Sequence, residues 1–110
     1  MVVLLARVSV KPEDRDRWLD LVSRVAALSR AEAGCEGYLM CEDIETPNAF
    51  IFVERWRSLD ALRGHFQTPH FGDLFGALPK MAAEPPDVQI HDVSSAVAFD
   101  ELLAAAGVGG

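Results

Sequence analysis

The chain has 110 residues, half of them hydrophobic and a quarter charged, which describes one folded domain and excludes both a disordered chain and separate cofactor and substrate domains. Seventeen acidic against ten basic residues give a net charge of −7, and Lys11 and Lys80 are the only lysines, so there is no basic stripe to meet a phosphate backbone and nucleic acid is not an expected partner. No apolar run approaches the ~20 residues of a membrane span, and the start MVVLLARVSV lacks a charged n-region and a cleavage site, so a soluble, cytoplasmic protein is expected.

Residues 2–10 predict a strand, with Val2, Leu4, Val8 and Val10 on one face and Val3 and Leu5 on the other. Lys11-Pro12-Glu13-Asp14 then turns into a helix on which Trp18, Leu21, Val22, Val25 and Leu28 recur at helical spacing, with Gly34 as the expected C′ glycine. Residues 37–42 and 49–57 read as a hairpin around Pro47-Asn48. Ser58 is placed to cap a short helix with Leu59, Leu62 and Phe66 inward. Thr68 and Pro69 open another that presents Phe71, Leu74, Phe75 and Leu78. Pro79, Pro85 and Pro86 are expected to break the chain before a last strand over 88–97.

The resulting order, βαββαβ, is the ferredoxin-like α+β plan: a four-stranded antiparallel sheet with helices on one face. Residues 1–98 form this domain, and 99–110 a tail that is frayed or docks on a partner through Phe99, Leu102 and Leu103. Since the strands are apolar on both parities, the uncovered face asks for a second copy, and a homodimer follows as a dimeric α+β barrel. Cys35 and Cys41 lie ~20 Å apart along an extended segment, too far for a disulfide, and read as reduced thiols.

Histidine titrates near neutrality, which makes His65 and His70 the candidate catalytic residues, either as base or relay, beside the bland reading of both as core-edge residues. By its place at a helix C-terminus, His65 is expected to favour the imidazolium. His70, in a first turn, is expected to favour the neutral ring. His91 lies on the last strand. Glu54 shares a parity with Phe50, Phe52 and Trp56, and a structural salt bridge to Arg7 or Arg55 is its expected state. Tyr38, Trp56, Phe66, Phe71 and Phe75 are candidates to line a pocket for an aromatic ligand, as an alternative to simple core packing. His65 and His70 lie five apart across a proline, and Glu54 eleven residues back. That is no metal-ligand spacing, and there is no phosphate loop or nucleophile elbow, so neither metal nor cofactor is expected.

Three phrases, SR-x-E-x-GCEGY at 29–38, VERW at 53–56 and W-x-S-x-x-A-L-x-x-H-x-x-T-P-H-F at 56–71, resemble the antibiotic biosynthesis monooxygenase family and, within it, its quinol monooxygenase-like members. The resemblance, over about residues 2–94, implies a ferredoxin-like subunit, a dimer joined through its sheets and a cavity between sheet and helices. It further implies oxidation of a hydroquinone, phenol or anthrone by O₂ without flavin, haem or metal, with His65 and His70 matching the H-x-x-T-P-H phrase. The Asn, Trp and His of related haem-degrading enzymes fall at Ala6, His65 and Phe75, so that triad is absent. An isomerase of a small metabolite and a non-enzymatic dimeric ligand-binding or stress-associated protein are the alternatives.

Overall fold

The computed structural model describes residues 1–109, so Gly110, the last residue of the expected tail, lies outside the described residues. Strand alternation decides the layering. β1 (Val2–Ser9) buries Val2, Leu4, Ala6 and Val8 on one face, and β3 (Ala49–Trp56) buries Phe50, Phe52, Glu54 and Trp56 on the same face. With β2 (Cys35–Glu42) and β4 (Asp87–Asp92) they form an antiparallel sheet in the order β2-β3-β1-β4. Its register aligns Tyr38, Glu54, Leu4 and Ile90 in one row across the helix side.

Three helices cover that side. α1 (Arg15–Arg30) follows a 3-10 turn at Pro12–Asp14 and buries Trp18, Val22, Val25 and Ser29, a stripe at i, i+4, i+7 and i+11. Leu28, expected inward, lies one position off that stripe and is exposed. α2 (Leu59–Phe66) starts at Ser58, whose hydroxyl accepts from Ala61 N at 3.1 Å. α3 (Pro69–Met81) starts at Thr68, whose hydroxyl accepts from Phe71 N at 3.2 Å, so both expected caps are present. Leu62 and His65 form the inward face of α2, while Leu59 and Phe66 are exposed, contrary to expectation. The hairpin is tied to α1 by Arg15, which donates to both Glu42 oxygens (2.5 and 2.8 Å) and to Asn48 Oδ1 (2.9 Å). These bonds and the Asn48 N–H hold the Glu42 carboxyl down at about 2.

Three of the boundaries that differ from the sequence reading have a plain physical cause. α1 ends at Arg30, because turn bonds from Glu32 N to Ser29 O and from Cys35 N to Glu32 O take over there. Gly34 is therefore no helix cap. It marks a close approach, since a Cβ at this position would stand 2.4 Å from Ala61 Cβ. Pro79 sits inside α3 rather than after it: in the last turn its missing N–H forfeits a single bond, and Ala82 N still reaches Leu78 O at 2.9 Å. β4 stops at Asp92, well short of residue 97, because Asp92 pairs with Val2 and β1 offers no strand partner beyond it.

In the tail, α4 (Phe99–Ala105) buries none of its residues, and Phe99 and Leu102 are exposed. Among the described residues no helix is long and apolar enough to cross a membrane. The sheet face away from the helices carries Leu5 and Leu39, both exposed, with the partly covered Val3, Ile51 and Val53.

Candidate active site

The helix layer covers β2, β3 and β1 but leaves β4 exposed along its length, including Val88 and Ile90 on the helix side. That mismatch opens a cavity of about 870 Å³ between α3 and the β1–β4 pair. Its floor is Leu4, Ala6, Val8 and Val88, and its roof Phe71, Leu74, Phe75 and Leu78. Tyr38 and Glu54 stand on the Leu4 row. Glu84, which accepts from Ser9 Oγ at 3.3 Å, stands at the other end of β1.

Glu54 is only 5% exposed. Burial raises its carboxyl to about 7, against the opposing effect of the Trp56 indole N–H, which donates to Oε1 at 3.0 Å; the Glu32 charge adds to the rise. The expected salt bridge does not form. Arg7 and Arg55 have the opposite parity and lie on the other sheet face, where Arg7 pairs with Asp43 at 3.1 Å and Arg55 reaches the Glu36 carbonyl at 3.4 Å. Tyr38 is also buried, and its hydroxyl has no hydrogen-bond partner among the described residues. Burial and then the Glu54 charge push its pKa up, so it stays protonated. Ser29, close enough to hold that rise back, donates its own hydrogen to the Val25 carbonyl at 2.7 Å.

Behind Glu54 lies His65, fully buried at the end of α2, its ring 4.4 Å from Trp56 and 5.3 Å from Phe71. Its Nε2 is 3.9 Å from Glu54 Oε1, and its Nδ1 is 2.7 Å from Glu32 Oε2. The same Glu32 oxygen lies 2.8 Å from His70 Nε2. A carboxylate oxygen only accepts, so it fixes the tautomer of His65 with hydrogen on Nδ1 and a lone pair on Nε2 toward Glu54. Burial lowers the His65 pKa despite the opposing Glu32 hydrogen bond, which overturns the expected imidazolium: desolvation outweighs the helix end.

Of the residues singled out from sequence, Tyr38, Glu54, Phe66, Phe71 and Phe75 line the cavity. Phe75 stacks on Phe71 at 5.7 Å and is exposed at the outer lip. Trp56 does not line it. Its indole is fully buried beneath Glu54 and orients that carboxyl. His65 and His70 form the adjoining cluster behind the cavity wall and do not line it, whereas His91 is exposed on the opposite face of the sheet beside Gln89. Glu32, in the turn after α1, joins the two histidines and was missed. A single acidic residue in a turn has no periodicity, and its one signal was its place inside the SR-x-E-x-GCEGY phrase.

The family described as Antibiotic biosynthesis monooxygenase matches residues 1–76. Two relatives are each 33% identical. One is a Synechocystis protein, "Uncharacterized protein sll1783", matched over 84% of this chain but only 63% of its own length. The other is the Bacillus subtilis "Putative monooxygenase YcnE", matched over 86% of this chain and 99% of its own length. A solved structure titled as an antibiotic biosynthesis monooxygenase superposes with a TM-score of 0.80 at 28% identity, covering 86% of this chain and all of that one.

Proposed function

Since the chain belongs to the antibiotic biosynthesis monooxygenase family, we propose that it oxidises a small aromatic hydroxy compound, a quinol, phenol or anthrone, with O₂, the substrate itself supplying the electrons. The observation that carries this reading is the Glu54 carboxyl, held at about 7 on the wall of a mostly apolar, aromatic-lined cavity. A base with that pKa is half ionised at neutral pH, and in a water-poor site it generates an electron-rich anion that can reduce O₂.

For an anthrone-type methylene the steps balance. Glu54 takes one C–H proton, and the carbanion's electron pair forms a C–O bond to O₂. The resulting peroxide anion takes that proton back. Loss of the second C–H proton breaks the O–O bond, forms the carbonyl and releases hydroxide, which leaves with that proton as water. One O₂ thus yields one carbonyl and one water.

His65, neutral and with its Nε2 lone pair toward Glu54, receives the proton from Glu54, and Glu32 stabilises the imidazolium so formed. The 3.9 Å gap between them exceeds a hydrogen bond and must close by about 1 Å when substrate is bound. His70 holds the outer side of Glu32, and the unpartnered Tyr38 hydroxyl is the donor for a substrate oxygen. The same reading includes a homodimer that covers the apolar patch of Leu5, Leu39, Ile51 and Val53.

The test is oxygen uptake by protein freed of metal and flavin, offered a quinol and an anthrone in turn. Uptake that needs both protein and substrate, and that survives a chelator, is the expected result. Turnover that appears only after iron or flavin is added overturns the mechanism, and turnover under argon points to the isomerase.

A further inference from the structure

We infer that Glu32, His65 and His70 form a binding site for a divalent transition-metal ion of the zinc type. The three come from separate elements, the turn after α1, the last turn of α2 and the first turn of α3, yet their ligating atoms lie within 4.8 Å of one another. The spacing that speaks against a metal site takes Glu54 as the carboxylate, whereas the fold brings Glu32 beside the two histidines.

One Glu32 oxygen now lies 2.7 Å from His65 Nδ1 and 2.8 Å from His70 Nε2. Zinc bonds of about 2.0–2.2 Å in a tetrahedral site set neighbouring ligand atoms roughly 3.3–3.5 Å apart. Opening both contacts by roughly 0.6 Å, and drawing together by about 1.4 Å the two imidazole nitrogens, which stand up to 4.8 Å apart, gives that geometry. Glu32 and His70, the less buried members, can make that adjustment, while His65 is fixed against Trp56 and Phe71.

An outer partner for such a site stands within about 1 Å of hydrogen-bond distance. His65 Nε2 faces the buried Glu54 carboxyl at 3.9 Å, and Trp56 holds that carboxyl in turn. A ligating histidine backed by a carboxylate is the arrangement that orients metal-bound imidazoles. Two imidazoles and one carboxylate select borderline ions such as Zn²⁺ or Co²⁺ over Ca²⁺ or Mg²⁺, and three protein ligands leave a position for water on the side where Glu32 and His70 are partly exposed. An ion on Nδ1 leaves the hydrogen on Nε2, so His65 can no longer accept a proton from Glu54. Metal at this site is a brake on turnover. That consequence rests on the proposed function; the binding itself does not.

The full chain, stripped of metal, is titrated with Zn²⁺ by calorimetry and with Co²⁺ by visible absorption. The expected result is one ion per chain, a Zn²⁺ dissociation constant at or below about 1 µM and four-coordinate Co²⁺ bands. Glu32→Gln and His70→Ala should each weaken binding at least about tenfold, while His91→Ala, an exposed histidine on the opposite sheet face, binds as wild type. No wild-type binding at about 100 µM Zn²⁺, unchanged affinity in folded Glu32→Gln and His70→Ala, or loss in His91→Ala overturns the proposal. Should either variant fail to fold, Co²⁺-shifted ring resonances in the wild type decide: on His65 and His70 they support the site, and on His91 alone, or on no histidine, they refute it.

Discussion

Replacing Glu54 by Gln should lower turnover by a factor of about 10² to 10⁴ while making the protein more stable at pH 8. Gln keeps the shape and the Trp56 hydrogen bond but cannot take a proton. In the wild type, kcat/KM should rise with pH through about 7 as Glu54 ionises, and this limb should vanish in whatever activity the variant retains. Stability runs the opposite way. The folded carboxyl holds its proton to about 7, whereas the unfolded one releases it near 4.5. The benefit of burying a neutral acid is therefore complete below 4.5 and is lost as pH climbs through 7. The difference corresponds to about 3 kcal/mol, which wild type should lose relative to Glu54→Gln between pH 4 and pH 8 in urea unfolding. A variant that keeps full activity, or a stability difference that does not grow with pH, contradicts this role.

Leu39→Asp should turn a dimer into a folded monomer. Leu39 is 57% exposed in the single chain, so the substitution costs the subunit's own core little. In a twofold pairing of the open sheet faces it would bring a charge from each copy into an apolar contact, a cost of several kcal/mol, or at least about a hundredfold in dissociation constant. Sedimentation velocity at micromolar concentration measures it. A wild type that already sediments as a monomer, or a variant that stays dimeric, removes the open face as the interface.

The fold was legible where local chemistry repeats. Strand alternation grouped Val2 with Leu4, and Phe50 and Phe52 with Trp56, each set on one face and both sets buried in the fold, and the Ser58 and Thr68 caps fixed the starts of α2 and α3. The errors arose where a tertiary contact overrides a local signal. Gly34 looks like a cap because it follows a helix, but it is required by the approach of Ala61. Pro79 looks like a breaker but falls where one missing hydrogen bond is tolerated. The site was half legible for the same reason. Parity alone placed Glu54 among aromatic residues. Its lack of a cation depended on Arg7 and Arg55 having the opposite parity, which the alternation already contained and the salt-bridge expectation overlooked. Glu32 could be read only from a phrase, because its meeting with His65 and His70 spans 33 and 38 residues and three elements.

The buried carboxyl beside the neutral imidazole is the claim on which the chemistry stands. A ¹³C NMR titration of the Glu54 side-chain carboxyl in the folded protein tests it most directly. A midpoint near 7 is expected, and one close to the ordinary 4.5 would rule Glu54 out as the base.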